Sequence, residues 1–174
     1  DNPELVEARA QGIRVLHRSE ALAATMSDSH VIAVAGTHGK TTTSSMVSVM
    51  MDALHKDPSF AVGSVIAGFD TNARMSTSEG ERWFVAEADE SDGSFVRYRP
   101  EIAVVTNVEP DHLDFYDTDE RVFESFNRFV GSMAPGGVLV TCADDAGAMD
   151  LAERARESGI NVVTYGQSDQ ANVR

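Results

Sequence analysis

Short apolar runs alternate with helix-like segments along most of the 174-residue chain. Residues 31–35 (VIAVA) form a continuous apolar run, which is typical of a strand buried on both faces. Residues 40–54 and 121–133 instead carry apolar side chains at the spacing of a helix. Further strands are predicted at 60–66, 83–88, 102–108, 138–142 and 161–165, and a further helix at 151–158. This alternation predicts an α/β fold with a mostly parallel sheet flanked by helices.

The segment before the first strong strand has a different pattern. Pro3 lies in the first turn of a predicted helix that ends near Gly12, and residues 13–16 (IRVL) predict a short strand. A second helix is predicted from Ser19 up to about Ser29. We therefore expect residues 1–29 to be the tail of a preceding domain plus a linker, and residues 30–174 to form the main domain.

Charge and cysteine content exclude several classes of protein. The net charge is −14 at pH 7 and no stripe of basic residues occurs, so nucleic acid is not expected as a partner. One cysteine, Cys142, excludes an internal disulfide and a cysteine-rich metal cluster, and it fits a cytoplasmic protein. No run of about 18 apolar residues and no secretory leader are visible, so a membrane partner is not expected either.

A glycine-rich loop follows the first strong strand and leads into a predicted helix. The sequence from Gly36 to Thr41 reads GTHGKT, whereas the usual phosphate loop, G-x-x-x-x-G-K-[ST], would need a glycine at Val34. A helix N-terminus at this place favours phosphate, Lys40 can reach the outer phosphates, and Thr41 can bind Mg²⁺. The alternative is an ordinary turn with a surface lysine. Three consecutive threonines favour the phosphate site, because they start a helix poorly unless their hydroxyls are used.

Acidic residues follow the strand predicted at 83–88. Glu87, Asp89, Glu90 and Asp92 lie within six residues, and such carboxylates repel one another unless a cation binds. Mg²⁺ uses one or two protein carboxylates together with water and phosphate oxygens. Glu87 is the first candidate ligand because it stands at the strand end. A solvated acidic loop is the alternative in so acidic a chain.

A histidine with neighbouring carboxylates follows the next strand. Asn107, Asp111, His112 and Asp114 come at the end of the apolar run 102–108. A carboxylate beside His112 can fix the tautomer of its imidazole, which then suits a metal or a phosphate. The alternative is a histidine in a surface loop. Because three strand ends share one edge, we expect a phosphate cradle, a carboxylate set and a histidine set to meet there.

Three motifs in this order resemble the Mur ligase family of peptidoglycan synthesis. They are GTHGKTTT at 36–43, EADESDGSF at 87–95 and TNVEPDHLDFY at 106–116. The family's phosphate loop has the same shorter frame, G-T-x-G-K-[ST], and the histidine at position 38 resembles its alanine-adding branch. The resemblance implies that residues 30–174 are the P-loop NTPase-like central ATP-binding domain of such a ligase.

The resemblance also implies an activity and site residues. The activity is ATP- and Mg²⁺-dependent joining of L-alanine to UDP-N-acetylmuramate through an acyl phosphate. The implied catalytic residues are Lys40, Glu87 and His112. The implied metal ligands are Thr41 for one Mg²⁺, and Glu87 and His112 for a second Mg²⁺. The implied nucleotide-binding residues are Gly36, Thr37, His38, Gly39, Lys40, Thr41, Thr42 and Asn107. The implied substrate-binding residues are His38, Asn72, Glu90 and Ser91.

The chain departs from the family pattern in two respects. Several members carry a carbamylated lysine where this chain has Asn127, so the second Mg²⁺ is expected to rely on other ligands. The family's later H-N-x-x-N motif and its C-terminal domain are not found in these 174 residues. We therefore expect the central domain to be incomplete here, and the chain by itself not to form the amide.

Two other functions fit the same motifs. The first is a recycling ligase that attaches a tripeptide to UDP-N-acetylmuramate, since it shares the GTHGKTTT loop. The second is a non-catalytic nucleotide-binding module that has kept the fold. ESDGSF followed by PDHLDFY favours the alanine-adding enzyme, and the presence of Lys40, Thr41, Glu87 and His112 argues against an inert module.

Overall fold

Seven strands form one sheet in the computed structural model of the protein, which describes residues 2–91, 93–111 and 116–174. They are β1 (His30–Ala35), β2 (Ser59–Ile66), β3 (Thr71–Arg74), β4 (Trp83–Glu87), β5 (Ile102–Val105), β6 (Val138–Cys142) and β7 (Asn161–Tyr165). Their order across the sheet is β3-β2-β4-β1-β5-β6-β7. Every neighbouring pair is parallel except β2 and β3, which are antiparallel. The predicted α/β fold with a mostly parallel sheet is therefore confirmed.

Helices connect the strands and cover both faces of the sheet. They are α1 (Pro3–Ala10), α2 (Arg18–Thr25), α3 (Lys40–Ala53), α4 (Asp119–Gly131) and α5 (Ala146–Glu157), with a 3₁₀ helix at Ser94–Arg97. Helix α5 begins at residue 146 and not at 151, because Asp145 caps it by accepting a bond from the backbone N–H of Ala148 at 2.7 Å. Within the described part of the chain, no helix has the length and apolar character needed to cross a membrane.

Two predicted strands differ from the structure, and one strand was not predicted. Residues 13–16 are exposed and form no strand, since no described strand lies beside them to satisfy their backbone groups. The run predicted at 102–108 ends as a strand at Val105. Strand β3 has no apolar alternation in its sequence, TNAR, and it exists because it pairs with β2 in an antiparallel hairpin. Local patterns therefore miss strands that are defined only by their partners.

The sheet is buried on both faces, which explains the uninterrupted apolar run in β1. Val31, Ala33 and Ala35 belong to one core cluster, whereas Ile32 and Val34 belong to the other. The first cluster includes the predicted apolar face of α4, where Phe126 and Phe129 are fully buried. The ring of Phe95 stacks on Phe129 at 4.8 Å between centroids and meets Phe126 edge-on at 5.6 Å. These rings anchor α4 to the segment that follows β4.

The N-terminal helices differ in how they contact this core. Helix α1 has no buried residue, whereas Met26, just after α2, is only 2% exposed and belongs to the first core cluster. Arg97 adds a hydrogen bond from its Nη1 to the Oγ of Ser19 at 2.8 Å. Helix α2 is therefore attached to the sheet layer. The domain boundary between residues 29 and 30 stays a prediction.

Removing the Phe129 ring should destabilise the fold far more than removing a partly exposed ring on the same helix. Phe129→Ala is expected to lower the free energy of unfolding by about 3–5 kcal/mol, because the stacked ring of Phe95 would face a cavity. Phe123→Ala, on the same helix and only partly buried, serves as the matched control and should cost clearly less. Urea unfolding of both variants measures the difference, and equal losses would contradict the described packing.

Candidate functional site

Three loops emerge side by side from the carboxyl ends of β4, β1 and β5. The strand register pairs Val34 with Glu87 on one side of β1 and Ala35 with Val105 on the other. The backbone N–H groups of Ala88 and Thr106 continue this pairing beyond the strands, bonding to the carbonyls of Val34 at 2.8 Å and Ala35 at 3.1 Å. The glycine loop, the acidic loop and the loop after β5 therefore share one edge of the sheet, where ligands bind in open parallel sheets.

The glycine loop needs both of its glycines. Gly36 has φ +134°, and a Cβ there would lie 2.0 Å from the Oγ1 of Thr106. Gly39 has φ +85° and is the N-cap residue of α3. Because glycine has no side chain to cap the helix, the N-terminus of α3 opens directly toward the loop. A helix N-terminus of this kind favours an anion through its backbone N–H groups and its dipole.

The loop after β5 holds the glycine loop in shape. The backbone N–H of His38 donates to Oδ1 of Asn107 at 2.8 Å, and Nδ2 of Asn107 donates back to the carbonyl of His38 at 3.2 Å. The Thr106 hydroxyl donates to the same carbonyl at 2.6 Å. Thr37 and Glu109 exchange a second pair of bonds, from Thr37 Oγ1 to the Glu109 carbonyl at 3.1 Å and from the Glu109 N–H to Thr37 Oγ1 at 2.9 Å. Sequence reasoning missed Thr106 and Glu109, whose only signal was their place at a strand end.

Lys40 lies inside the loop and not on the surface. Its Nζ donates to the carbonyls of Gly36 at 2.8 Å and Thr37 at 3.4 Å, and it pairs with Oε1 of Glu90 at 2.9 Å. The side chains of Lys40 and Glu90 are only 14% and 2% exposed. The ammonium group is therefore held at the loop by a buried carboxylate from the neighbouring strand end.

Glu90 is the buried acidic residue of this site. Burial raises the pKa of its carboxyl above the ordinary value of 4.5, and the hydrogen bond from Lys40 opposes that shift. The hydroxyl of Tyr116 donates to the backbone carbonyl of Glu90. Glu90 was predicted to contact substrate, and the contact that the structure describes for its carboxylate is with Lys40. A substrate role for Glu90 stays a prediction.

Thr41 and Glu87 form the second pair in the site. The Thr41 hydroxyl donates to Oε1 of Glu87 at 2.8 Å, and the backbone N–H of Gly63 donates to Oε2 at 2.5 Å. Two of the three predicted metal ligands therefore hold oxygen atoms within hydrogen-bonding distance of each other, and oxygen is the ligand atom that Mg²⁺ prefers. Gly63 was not predicted, and no motif in the sequence marked it.

The predicted third ligand falls outside the structure's described part. His112 and Asp114 lie in the gap at 112–115, and Asp92 is likewise outside the described residues. Among the residues that are described, no group of three or more His, Cys, Asp or Glu side chains is arranged to hold a metal ion. The metal role of His112 stays a prediction.

The remaining predicted residues lie around these pairs. Thr42 lines a cavity of about 500 Å³ together with Thr41, between α3 and the end of β2. Ser91 forms a turn with Asp89, with bonds of 3.1 and 3.0 Å to its carboxylate. The imidazole of His38 is 67% exposed, with its Nε2 3.9 Å from Oε2 of Glu109. Asn72 is exposed on edge strand β3 and makes no described hydrogen bond to the other predicted residues.

Sequence comparison matches this chain to known proteins over its whole length. The family model of the Mur ligase middle domain matches residues 34–174. The UDP-N-acetylmuramate–L-alanine ligase of Arthrobacter sp. (strain FB24) is 58% identical over 175 residues, covering 100% of this chain and 37% of that protein. The enzyme of the same name from Renibacterium salmoninarum is 57% identical, covering 99% of this chain and 37% of that protein. The chain thus spans little more than a third of the length of these relatives.

Structural comparison leads to the same group of enzymes. The UDP-N-acetylmuramate:L-alanyl-γ-D-glutamyl-meso-diaminopimelate ligase from Neisseria meningitides superposes with a TM-score of 0.81 at 26% identity, over 94% of this chain and 54% of that one. The UDP-N-acetylmuramate–alanine ligase from Thermotoga maritima gives a TM-score of 0.75 at 30% identity, over 87% of this chain and 34% of that one.

The stability of Glu90→Gln relative to the unchanged chain should increase as the pH rises. A carboxyl whose pKa is raised by folding contributes its stability fully below the unfolded pKa and loses it as pH rises through the folded pKa. Glu90→Gln is not subject to this loss. The free energy of unfolding of the variant minus that of the unchanged chain should therefore grow from about pH 4.5 upward and level off above the raised pKa. Urea unfolding at several pH values measures it, and a difference that shrinks with rising pH would contradict the burial effect.

Proposed function

The chain belongs to the Mur ligase family, and we propose that it is the ATP-binding part of an enzyme that joins L-alanine to UDP-N-acetylmuramate. The observation that carries the proposal is the placement of Lys40 and of the Thr41–Glu87 pair at one edge of the sheet. The identity of more than half of all positions to alanine-adding ligases supports the choice of amino acid. In this proposal the reaction takes place in the cytoplasm, where ATP is available, and proceeds through an acyl phosphate.

The described residues fit Mg²⁺–ATP in their chemistry. Gly36 lets the loop pack closely against Thr106, and Gly39 leaves the N-terminus of α3 without a side-chain cap, so phosphate oxygens can approach the backbone there. Thr41 and Glu87 provide the oxygen ligands that Mg²⁺ prefers. His112 is the further metal ligand in this proposal.

In the proposed enzyme, the Lys40 ammonium would exchange hydrogen bonds to loop carbonyls for bonds to phosphate. Its ammonium is paired with Glu90 and with loop carbonyls, so its position at the loop is set before nucleotide arrives. Phosphate oxygens are stronger acceptors than the two carbonyls, and Lys40 would turn from these to the outer phosphates. Magnesium ATP, when bound, supplies the phosphoryl group that activates the carboxylate of UDP-N-acetylmuramate. Lys40 stabilises the charge that spreads over this group during transfer.

Asn107 and Thr106 would act through the loop. Their bonds to the backbone of His38 fix the conformation in which the loop receives phosphate. The exposed imidazole of His38 is free to turn toward a bound anion. The substrate-side roles proposed for Asn72, Glu90 and Ser91 rest on the family resemblance.

A tripeptide-adding ligase is the second candidate within the family. The Neisseria enzyme, whose name gives a tripeptide as its substrate, superposes with a high TM-score. Sequence identity nevertheless favours the alanine-adding enzymes, since the Thermotoga enzyme is 30% identical and the Neisseria enzyme 26%. We therefore propose L-alanine as the amino acid that is added.

Mg²⁺–ATP should stabilise the chain through Lys40. At ATP concentrations about a hundredfold above the dissociation constant, the free energy of unfolding should rise by about 2.7 kcal/mol. Lys40→Met should remove most of this gain, because the outer phosphates would lose the ammonium group and keep only Mg²⁺ as a counter-charge. Lys56→Met is the matched control, since Lys56 is the chain's other lysine and, among the residues the structure describes, its ammonium pairs only with Glu81 at the surface. Thermal unfolding with and without nucleotide measures each gain, and equal gains in all three proteins would refute the role of Lys40.

The proposed reaction can be tested by grafting. Residues 1–174 would replace the matching segment of the Arthrobacter ligase, and release of phosphate would be followed with ATP, UDP-N-acetylmuramate and L-alanine. We expect the graft to be active and Lys40→Met to lower kcat by roughly 100-fold or more. The graft carrying Lys56→Met should keep its activity. An inactive graft that folds and binds ATP would contradict a catalytic role for this chain.

A further inference from the structure

Strand β2 contributes to the site at the point where it leaves its neighbour. The parallel pairing of β2 with β4 ends at Ala61 and Ala86. The carboxylate of Glu87, the next residue of β4, lies in the fork that opens there. Gly63 lines this fork from the β2 side and donates its backbone N–H to Oε2 of Glu87 at 2.5 Å. One carboxylate is therefore held between the Gly63 N–H and the Thr41 hydroxyl.

The absence of a side chain at Gly63 has a spatial reason. A Cβ there would lie 2.8 and 2.9 Å from the two carboxylate oxygens of Glu87 and 2.9 Å from the Thr41 hydroxyl oxygen. The φ angle of Gly63 lies outside the left-handed region that only glycine adopts readily. The backbone would therefore accept alanine, and the closest contacts of its Cβ would be with the oxygens of Glu87 and Thr41.

We propose that Gly63 is a positioning residue of the magnesium site. Its N–H orients the carboxylate of Glu87 toward Thr41, and its missing side chain leaves the oxygens of both residues open to the ion. This inference rests on the proposed function, because it needs Mg²⁺ to bind at Thr41 and Glu87.

The position of Gly63 predicts that Gly63→Ala would change the site without changing the fold. The atoms that a Cβ would strike are the ends of the Glu87 and Thr41 side chains, which can rotate away. Gly63 is exposed, so alanine there would disturb no core packing. The fold would accommodate Gly63→Ala by moving Glu87, and that movement would separate the two magnesium ligands.

The test is magnesium binding by Gly63→Ala. Binding of a fluorescent ATP analogue would be titrated with Mg²⁺, and in parallel without the metal in the presence of EDTA. We expect the apparent dissociation constant for Mg²⁺ to rise about 10- to 100-fold, as it does when groups that orient metal ligands are altered. The metal-free affinity for nucleotide and the melting temperature of the unliganded chain should stay nearly unchanged.

Gly80→Ala is the matched control. Gly80 is exposed as well, and the nearest atom to its added Cβ would be the Ser78 hydroxyl at 3.8 Å. This variant should bind Mg²⁺ and nucleotide like the unchanged chain.

The outcomes of this experiment distinguish failure of the proposed function from failure of the role of Gly63. If the unchanged chain does not bind Mg²⁺–ATP, the proposed function fails and the role of Gly63 fails with it. If the unchanged chain binds and Gly63→Ala binds Mg²⁺ equally well, the role of Gly63 alone is wrong. A large fall in the melting temperature of unliganded Gly63→Ala would also overturn the proposal, because Gly63 would then serve the fold.

Discussion

The position of β1 at the centre of the sheet is the constraint from which the site follows. Its parallel pairing with β4 on one side and β5 on the other places three carboxyl ends together. Parallel strands need crossover connections, and here these connections also carry the functional loops. The apolar run of β1 is buried on both faces, so burial keeps the register that aligns the loops. A slip of one residue would turn the side chains of β1 to the opposite faces and move the glycine loop away from Thr106.

Electrostatics at this edge compensate for an acidic chain. With a net charge of −14, the chain as a whole repels an anionic nucleotide. The open N-terminus of α3 and the partly buried Lys40 locally oppose this repulsion of the nucleotide. Burial of the Lys40–Glu90 pair is costly for both charges, and the carbonyls of Gly36 and Thr37 offset part of that cost by accepting further bonds. The result is a cation held in the loop, where a surface lysine would be free to sample many positions.

The polar groups of the site and the apolar core of the fold are largely separate. Phenylalanine rings from α4 pack against the segment that follows β4 and hold its backbone in place. The groups proposed to meet a ligand lie at or beyond the strand ends, where side chains such as that of Glu87 can move without disturbing that packing. Single changes at the proposed site are therefore expected to alter binding while the fold persists. In the fork between β2 and β4, Gly63 shows this separation most directly, since the three atoms nearest to an added Cβ would be side-chain oxygens.

The sequence by itself determined the fold class and most of the candidate site. Apolar periodicity identified the central strands, and the loops at 36–41, 87–90 and 106–111 stood out because lysine, carboxylates and polar residues there directly follow apolar runs. Tertiary structure alone decided which of these groups touch. Glu90 and Lys40 are 50 positions apart, and their pairing depends on the strand order. Strand β3, the hydrogen bond from Thr106 to the His38 carbonyl and the need for glycine at position 63 have no local sequence pattern. Each of them is defined by a partner that is distant in the sequence. A pattern along one chain records what each segment prefers, whereas contacts between segments appear only when the sheet brings their ends together.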